Sequence, residues 1–258
     1  MVGDPVAFVV AETKAAARQA LELIEVDYEP LDCVSDAQAA RDGSGDVIWG
    51  EAENNVCFVA ELGSRQETDA AFAAAAHRVA LKLEHNRVVV NSMECRGAIG
   101  DYRDGRFVLR TGSQGVHFVR DQLTRDIFCV PNDQMLVLTD DVGGGFGMKS
   151  GLYREQVLVL FAARALGRPV KWIGERSTDA FVSDTQGRDQ VDEVELALDE
   201  QHRFLGLRVR SVSNMGAYLS NFGPGSSTDF QRSVYSGPYR IPTLHAEITG
   251  MYTNTVSI

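Results

Sequence analysis

The stretch Thr139-Asp140-Asp141-Val142-Gly143-Gly144-Gly145-Phe146-Gly147-Met148-Lys149 is rich in backbone suited to chemistry. Four glycines occupy five positions, with only Phe146 between them. Glycine has no Cβ, so it tolerates positive φ and lets backbone N–H groups come close to a ligand. The residues before it, Gln134 to Thr139, read as a short buried strand. Those after it, Ser150 to Leu166, read as a helix, with Leu152, Gln156, Val159, Leu160 and Ala163 at helical spacing. A helix N-terminus offers unpaired N–H donors and a partial positive charge. Strand, glycine loop and helix together suit an anionic or oxo ligand. The same pattern also describes a tight turn that binds nothing.

Two familiar loops are excluded by spacing. A P-loop ends in Gly-Lys-Ser/Thr, and here Lys149-Ser150 is preceded by Met148. The dinucleotide fingerprint needs glycine or alanine at 148 or 150, where methionine and serine stand. A second candidate is Gln114, set between two glycines in Thr111-Gly112-Ser113-Gln114-Gly115-Val116-His117. Its amide is either a polar turn residue or a donor aimed into a pocket.

These residues need a scaffold, and the chain is large enough for one. At 258 residues and 44% hydrophobic, it can bury a sizeable core in one large or two modest domains. Its net charge of −11 disfavours nucleic acid and anionic membranes as partners. No apolar run approaches membrane-spanning length, and Met1-Val2-Gly3-Asp4-Pro5 lacks a signal-peptide pattern. Cys33, Cys57, Cys95 and Cys129 are scattered with no Cys-x-x-Cys pair. An iron–sulfur or zinc site within the chain is therefore not expected, and a reducing cytoplasm is the simplest compartment.

In chain order, Pro5–Ala11 reads as a strand, Lys14–Glu25 as a helix capped by Thr13, and Val26–Leu31 as a second strand. This unit is too small to fold alone and is expected to complete a sheet with other strands. The polar stretch from Asp36 to Asn55 reads as a linker. Val79, Leu81 and Leu83 alternate as one face of a strand. Asp104-Gly105 signals a hairpin between Asp101–Arg103 and Arg106–Arg110. A helix is expected from His117 to Leu123. A second hairpin joins Val191–Leu198 to Phe204–Val212, and Leu244–Tyr252 forms the last strand. The chain stops in mid-pattern at Ile258, so the sequence is expected to be a fragment or one piece of a split gene.

Pro5–Pro30, Met93-Glu94-Cys95-Arg96, Thr111–His117, Asp141–Lys149, Asn214–Leu219 and Tyr239–Thr255 follow a familiar order. In them the chain resembles, over essentially its whole length, the molybdenum-binding large subunit of the xanthine dehydrogenase/aldehyde oxidase/carbon monoxide dehydrogenase family. The resemblance implies an α+β fold. Residues 1–40 would be the C-terminal part of an α/β-hammerhead domain and 41–70 a linker. Residues 71–258 would be the first molybdopterin-binding domain, of mixed sheets and helices and truncated at its C-terminus. It implies cofactor contacts from Gln114, Gly144, Gly145, Phe146 and Gly147, with Gln114 and Phe146 near the molybdenum. The cofactor would be molybdenum–molybdopterin, in its simple or cytosine dinucleotide form.

Iron–sulfur clusters and FAD are expected on partner subunits or domains. The missing C-terminal half of the subunit and a small-molecule substrate complete the expected partners. The implied reaction is oxidation of an aldehyde, an aromatic heterocycle or carbon monoxide with oxygen from water. No residue here matches the family's general base, which is expected beyond the chain end. Ser150 after Lys149, where some members have glutamate, argues against a purine substrate, and Cys95 replaces a common proline. Two other readings stay open: a non-catalytic split subunit serving only in assembly, and a phosphate-binding module built on the glycine loop.

Overall fold

The computed structural model describes residues 1–232 and 234–258. Its elements begin with α1 (Lys14–Glu22), α2 (Ala37–Arg41), β1 (Val56–Gly63), α3 (Arg65–Ala73) and β2 (His77–His85). Then come β3 (Gly97–Arg103), β4 (Arg106–Thr111), α4 (Val116–Gln122), β5 (Met135–Leu138), α5 (Arg154–Leu166) and β6 (Val170–Ile173). The chain closes with β7 (Gln190–Leu198), β8 (Phe204–Gly216), α6 (Gly223–Ser227), α7 (Asp229–Arg232) and β9 (Thr243–Tyr252). The fold is α+β, as expected. Two compact units interleave along the sequence: 32–88 with 185–258, and 2–31 with 89–184.

The first unit is built on a five-stranded mixed sheet in the order β1-β9-β8-β7-β2. β7 and β8 form the expected antiparallel hairpin, while β8 and β9 run parallel and so need the long connection through α6 and α7. Leu207, Val209, Ala246 and Ile248 make one core on this sheet. Val34, Ala37, Ala40, Val212 and Met251 make another. Asp36, inside the stretch expected to be a linker, caps α2 by accepting from the Ala39 N–H at 2.7 Å. Residues 41–70 likewise depart from a linker, because Val56–Gly63 pairs with β9 throughout. Val79, Leu81 and Leu83 do alternate on β2, but this edge strand leaves all three exposed.

The second unit holds a four-stranded sheet in the order β5-β4-β3-β6. Asp104 and Gly105 both take positive φ in the β3–β4 turn, as the hairpin signal requires. Phe107, Leu109, Met135, Val137, Val159, Leu160 and Val170 pack between this sheet and α4 and α5. A Cβ at Gly100 would lie 2.6 Å from the Val159 backbone, so the glycine sets how closely α5 rides on β3. Residues 5–11 and 26–31, expected as strands, form no ladder; only α1 is regular there. A strand needs a partner for its backbone groups, and neither segment pairs with one among the described residues. Ion pairs of Lys14 and Arg18 with Glu175, and of Arg154 with Asp4, tie the segment to the unit.

Candidate functional site

The topology of the four-stranded sheet collects its functional residues at one end. β4 and β6 run antiparallel to β3, and β5 runs parallel to β4. The C-terminal ends of β4, β5 and β6 therefore lie beside the N-terminal end of β3. Gln114 follows β4, the glycine loop follows β5, Arg176 follows β6, and Glu94 precedes β3. Met93 and Arg176, 83 positions apart in sequence, meet here because each sits just beyond a strand end.

Gln114 touches the loop directly. Its Oε1 accepts the Gly147 N–H at 3.0 Å, and its own N–H donates to the Lys149 carbonyl at 3.0 Å. A backbone N–H only donates, so the amide must turn its oxygen to Gly147, and its NH2 is left for an external acceptor. Gly145 packs against this side chain: a Cβ there would fall 2.4 Å from Oε1. Gly147 takes φ +89 with open space around it, and Gly144 takes φ +96. Phe146 is also left-handed, at φ 50, and the residue is 77% exposed. A non-glycine residue in that region costs about 1–2 kcal/mol, so the surrounding bonds must hold the loop in shape.

Those bonds come from Glu94 and Lys149. Glu94 Oε2 accepts from the Gly143 N–H at 2.9 Å and from Lys149 Nζ at 2.7 Å. The Glu94 N–H donates to the Gly143 carbonyl at 3.0 Å, and Lys149 Nζ also donates to the Glu94 carbonyl at 3.0 Å. The Lys149 side chain is 1% exposed, against 47% for Glu94. The hydrogen bond from Lys149, helped by that from Gly143, holds the Glu94 carboxyl below the usual range despite partial burial. Arg176 fixes the neighbouring segment by donating to Asn91 Oδ1 and to the carbonyls of Ser92 and Met93.

The expected helix start is corrected. α5 begins at Arg154, after an irregular turn over Met148–Ser150, and not at Ser150. Its first turn is closed by Tyr153 and Gln156: the Tyr153 N–H donates to Gln156 Oε1 at 2.9 Å. The loop's own N–H groups, and not a helix terminus, are the donors available. Among the described residues, those of Gly145 and Phe146 have no protein acceptor, whereas those of Gly143, Gly144, Gly147 and Met148 do.

Two backbone N–H groups without a protein acceptor, on a loop bonded to the exposed Gln114 amide, fit a group rich in acceptor oxygens. Gly147 leaves room for it, Gly144 lets the Phe146 ring pack close, and the exposed Phe146 offers an apolar face. The residues present thus fit an oxo-bearing cofactor. Gln114 stands against Gly145 and Gly147 of the loop. Glu94, Lys149 and Arg176 were not singled out as site residues. Glu94 and Lys149 did lie in two of the motifs that carry the resemblance, Met93–Arg96 and Asp141–Lys149, but neither motif shows that the two side chains meet.

The family described as the molybdopterin cofactor-binding domain matches residues 48–258. The a/b hammerhead domain of aldehyde oxidase and xanthine dehydrogenase matches residues 1–32. The chain is 32% identical over 260 residues to the gamma subunit of the 6-hydroxypseudooxynicotine dehydrogenase complex of Paenarthrobacter nicotinovorans, covering 100% of this chain and 32% of that protein. It is 32% identical over 267 residues to the carbon monoxide dehydrogenase large chain of Hydrogenophaga pseudoflava, covering 96% of this chain and 32% of that one. Quinoline 2-oxidoreductase from Pseudomonas putida 86 has the same fold, with a TM-score of 0.86 and 33% identity over 96% of this chain and 31% of its own. The chain spans about a third of the length of these relatives. With these matches over its glycine loop and both sheets, it belongs to the molybdopterin-binding large subunits of the xanthine dehydrogenase, aldehyde oxidase and carbon monoxide dehydrogenase family.

Proposed function

We propose that this chain forms one wall of a molybdenum hydroxylase site that oxidises an aldehyde, an aromatic heterocycle or carbon monoxide with water-derived oxygen. The observation that carries the reading is that the Gly145 and Phe146 N–H groups have no protein acceptor among the described residues, on a loop held to Gln114 through its Oε1. When bound, molybdenum–molybdopterin, in its simple or cytosine dinucleotide form, supplies the redox chemistry. Gln114, Gly145 and Phe146 would hold it through hydrogen bonds, with Gly147 keeping Gln114 in place through its own N–H. Residues 1–40 belong to the hammerhead domain and 71–258 to the first molybdopterin-binding domain in this reading. Electrons leave to iron–sulfur and flavin groups on cytoplasmic partners. Ser150 after Lys149 supports a substrate other than a purine.

Because the chain spans about a third of its relatives, it is expected to turn over no substrate by itself. The test is to produce it with and without partner subunits in a host that makes the pterin. Molybdenum and pterin are then measured, with activity toward aldehydes, N-heterocycles and carbon monoxide using an artificial acceptor. Molybdenum and pterin in the assembled complex, with turnover only there, is the expected result. Bound phosphate without molybdenum would favour a phosphate module, and assembly without either would favour a scaffolding role. Gln114→Ala should lower turnover of the complex several-fold, because one neutral hydrogen bond contributes about 0.5–1.5 kcal/mol. Its metal content should fall less; unchanged kinetics would assign Gln114 to the turn alone.

A further inference from the structure

We propose that Glu94 is the positioning residue of the glycine loop, fixing Gly143 and Lys149 so that the N–H groups of Gly145 and Phe146 stay free for a ligand. The inference rests on the reading of the loop as a cofactor cradle. Gly143 opens the loop and Lys149 closes it, and both donate to the same carboxylate oxygen, Glu94 Oε2. The Glu94 backbone repeats the clamp, its N–H on the Gly143 carbonyl and its carbonyl on Lys149 Nζ. Four bonds from one residue thus close the loop at both ends. Ser92 Oγ donates to the Glu94 carbonyl at 2.6 Å, and Arg176 pins the residues just before it. The anchor is therefore itself anchored to the ends of β3 and β6.

The asymmetry of burial makes the carboxylate necessary. An exposed ion pair contributes little, but here the ammonium is enclosed and the carboxylate half-open. Without Glu94 the enclosed Lys149 keeps only one carbonyl, and a buried charge left unpaired drives the structure around it to rearrange. The residue that rearranges most easily is the glycine loop, which already holds Phe146 in a left-handed conformation. Glu94 is unsuited to act as a base: Lys149 keeps it ionised and weakly basic. Its role is geometric.

Hydrogen exchange followed by mass spectrometry on the full chain tests this without any cofactor. Glu94→Ala should raise exchange of a peptide covering 141–149 at least tenfold and leave peptides of β4 and α5 unchanged. Glu94→Gln keeps an acceptor for Gly143 but not the charge for Lys149, and should fall between wild type and Glu94→Ala. In the complex assembled with its partners, molybdenum content should fall at least tenfold in Glu94→Ala. Unchanged exchange in 141–149, equal acceleration throughout the unit, or full molybdenum content in Glu94→Ala would each overturn the assignment. If wild type binds no molybdenum, the cofactor reading fails, while the exchange result still judges the clamp.

Discussion

Gly145→Ala is expected to remove most of the molybdenum from the assembled complex while changing the thermal midpoint by only a few degrees. The added Cβ would lie 2.4 Å from Gln114 Oε1, 2.6 Å from its Cδ and 2.8 Å from its Cγ. Contact with Cγ means that bending the amide tip is not enough, so the whole side chain must rotate away. Gln114 then releases the Gly147 N–H, and its NH2 no longer points beside Gly145 and Phe146. The folding cost is about one neutral hydrogen bond, roughly 0.5–1.5 kcal/mol. For a unit of this size that shifts the midpoint by about 2–4 °C per kcal/mol. The binding cost is larger, because three donors are displaced together.

Gly147→Ala should also impair binding, but for another reason. Its Cβ meets nothing within 4 Å, and the penalty is the left-handed backbone at φ +89, about 1–2 kcal/mol. Gly105→Ala supplies the control, with φ +77 and open space in the β3–β4 turn, far from the loop in sequence. It should cost comparable stability and no molybdenum. Equal metal loss in Gly105→Ala, or full metal in Gly145→Ala, would show that the loop does not read the cofactor through Gln114.

Much of the scaffold was legible because its signals are local. Asp104-Gly105 between alternating strands could only be a tight hairpin, and Met135–Leu138 and Leu244–Tyr252 lie within a residue of where their patterns place them. Gly167, at φ 62, ends α5 as a C-terminal glycine should. The failures have physical causes. Residues 5–11 and 26–31 have strand composition, but composition cannot supply a pairing partner. The helix after the loop starts late because Tyr153 and Gln156 close its first turn through side-chain bonds. Alanine spacing after Asp36 hid a short helix inside polar sequence.

At the site, the glycine loop and Gln114 were readable as types, but their contact was not. Gln114 meets Gly147 because β4 and β5 are parallel neighbours, a fact that no short window contains. Glu94 and Lys149 lie 55 positions apart, and neither residue alone distinguishes a surface charge from half of a clamp.

Arg96→Met is expected to destabilise the second unit by about 3–5 kcal/mol, the usual cost of removing one partner from a buried ion pair. That is a large share of the roughly 5–15 kcal/mol that holds a domain folded. Arg96 is 5% exposed and donates to Asp184 Oδ1 at 2.6 Å and to both oxygens of Glu155, at 2.8 and 3.4 Å. Its guanidinium also lies 3.7 Å from the Tyr153 ring centroid and 5.1 Å from that of Trp172. Methionine of similar length keeps some packing and leaves the Asp184 and Glu155 carboxylates without their hydrogen-bonded cation. Lysine should not rescue it, because one ammonium cannot reproduce the planar fork.

The pH dependence separates charge from packing. Burial raises the Glu155 carboxyl, but the two-pronged contact with Arg96 outweighs it and holds Glu155 below its usual range. At Asp184, burial wins over the single contact and the carboxyl lies above its range. In wild type, the stability from Glu155 is present above the unfolded carboxylate range and is lost as pH falls through its lower folded value. Asp184 works in the opposite sense, binding its proton more readily when folded. Without Arg96 the main influence holding Glu155 down is gone, leaving its backbone bond and Arg154 against burial. At Asp184, burial and the neighbouring carboxylates of Glu155 and Asp179 then act unopposed. Both acids would therefore take up a proton more readily than in wild type. Protonation then removes the unpaired charge, and the penalty of Arg96→Met should be greatest near neutral pH and shrink on acidification. Denaturant unfolding of both proteins from pH 7 to pH 4 measures it. A penalty that stays constant across that range would mean that Arg96 acts through packing on Tyr153 and Trp172. The site would register the loss as well: Tyr153 OH donates to the Met148 carbonyl at 2.8 Å, and Arg96 follows Glu94 by two residues. Loop exchange should therefore rise in Arg96→Met together with the loss of stability, whereas in Glu94→Ala it rises alone.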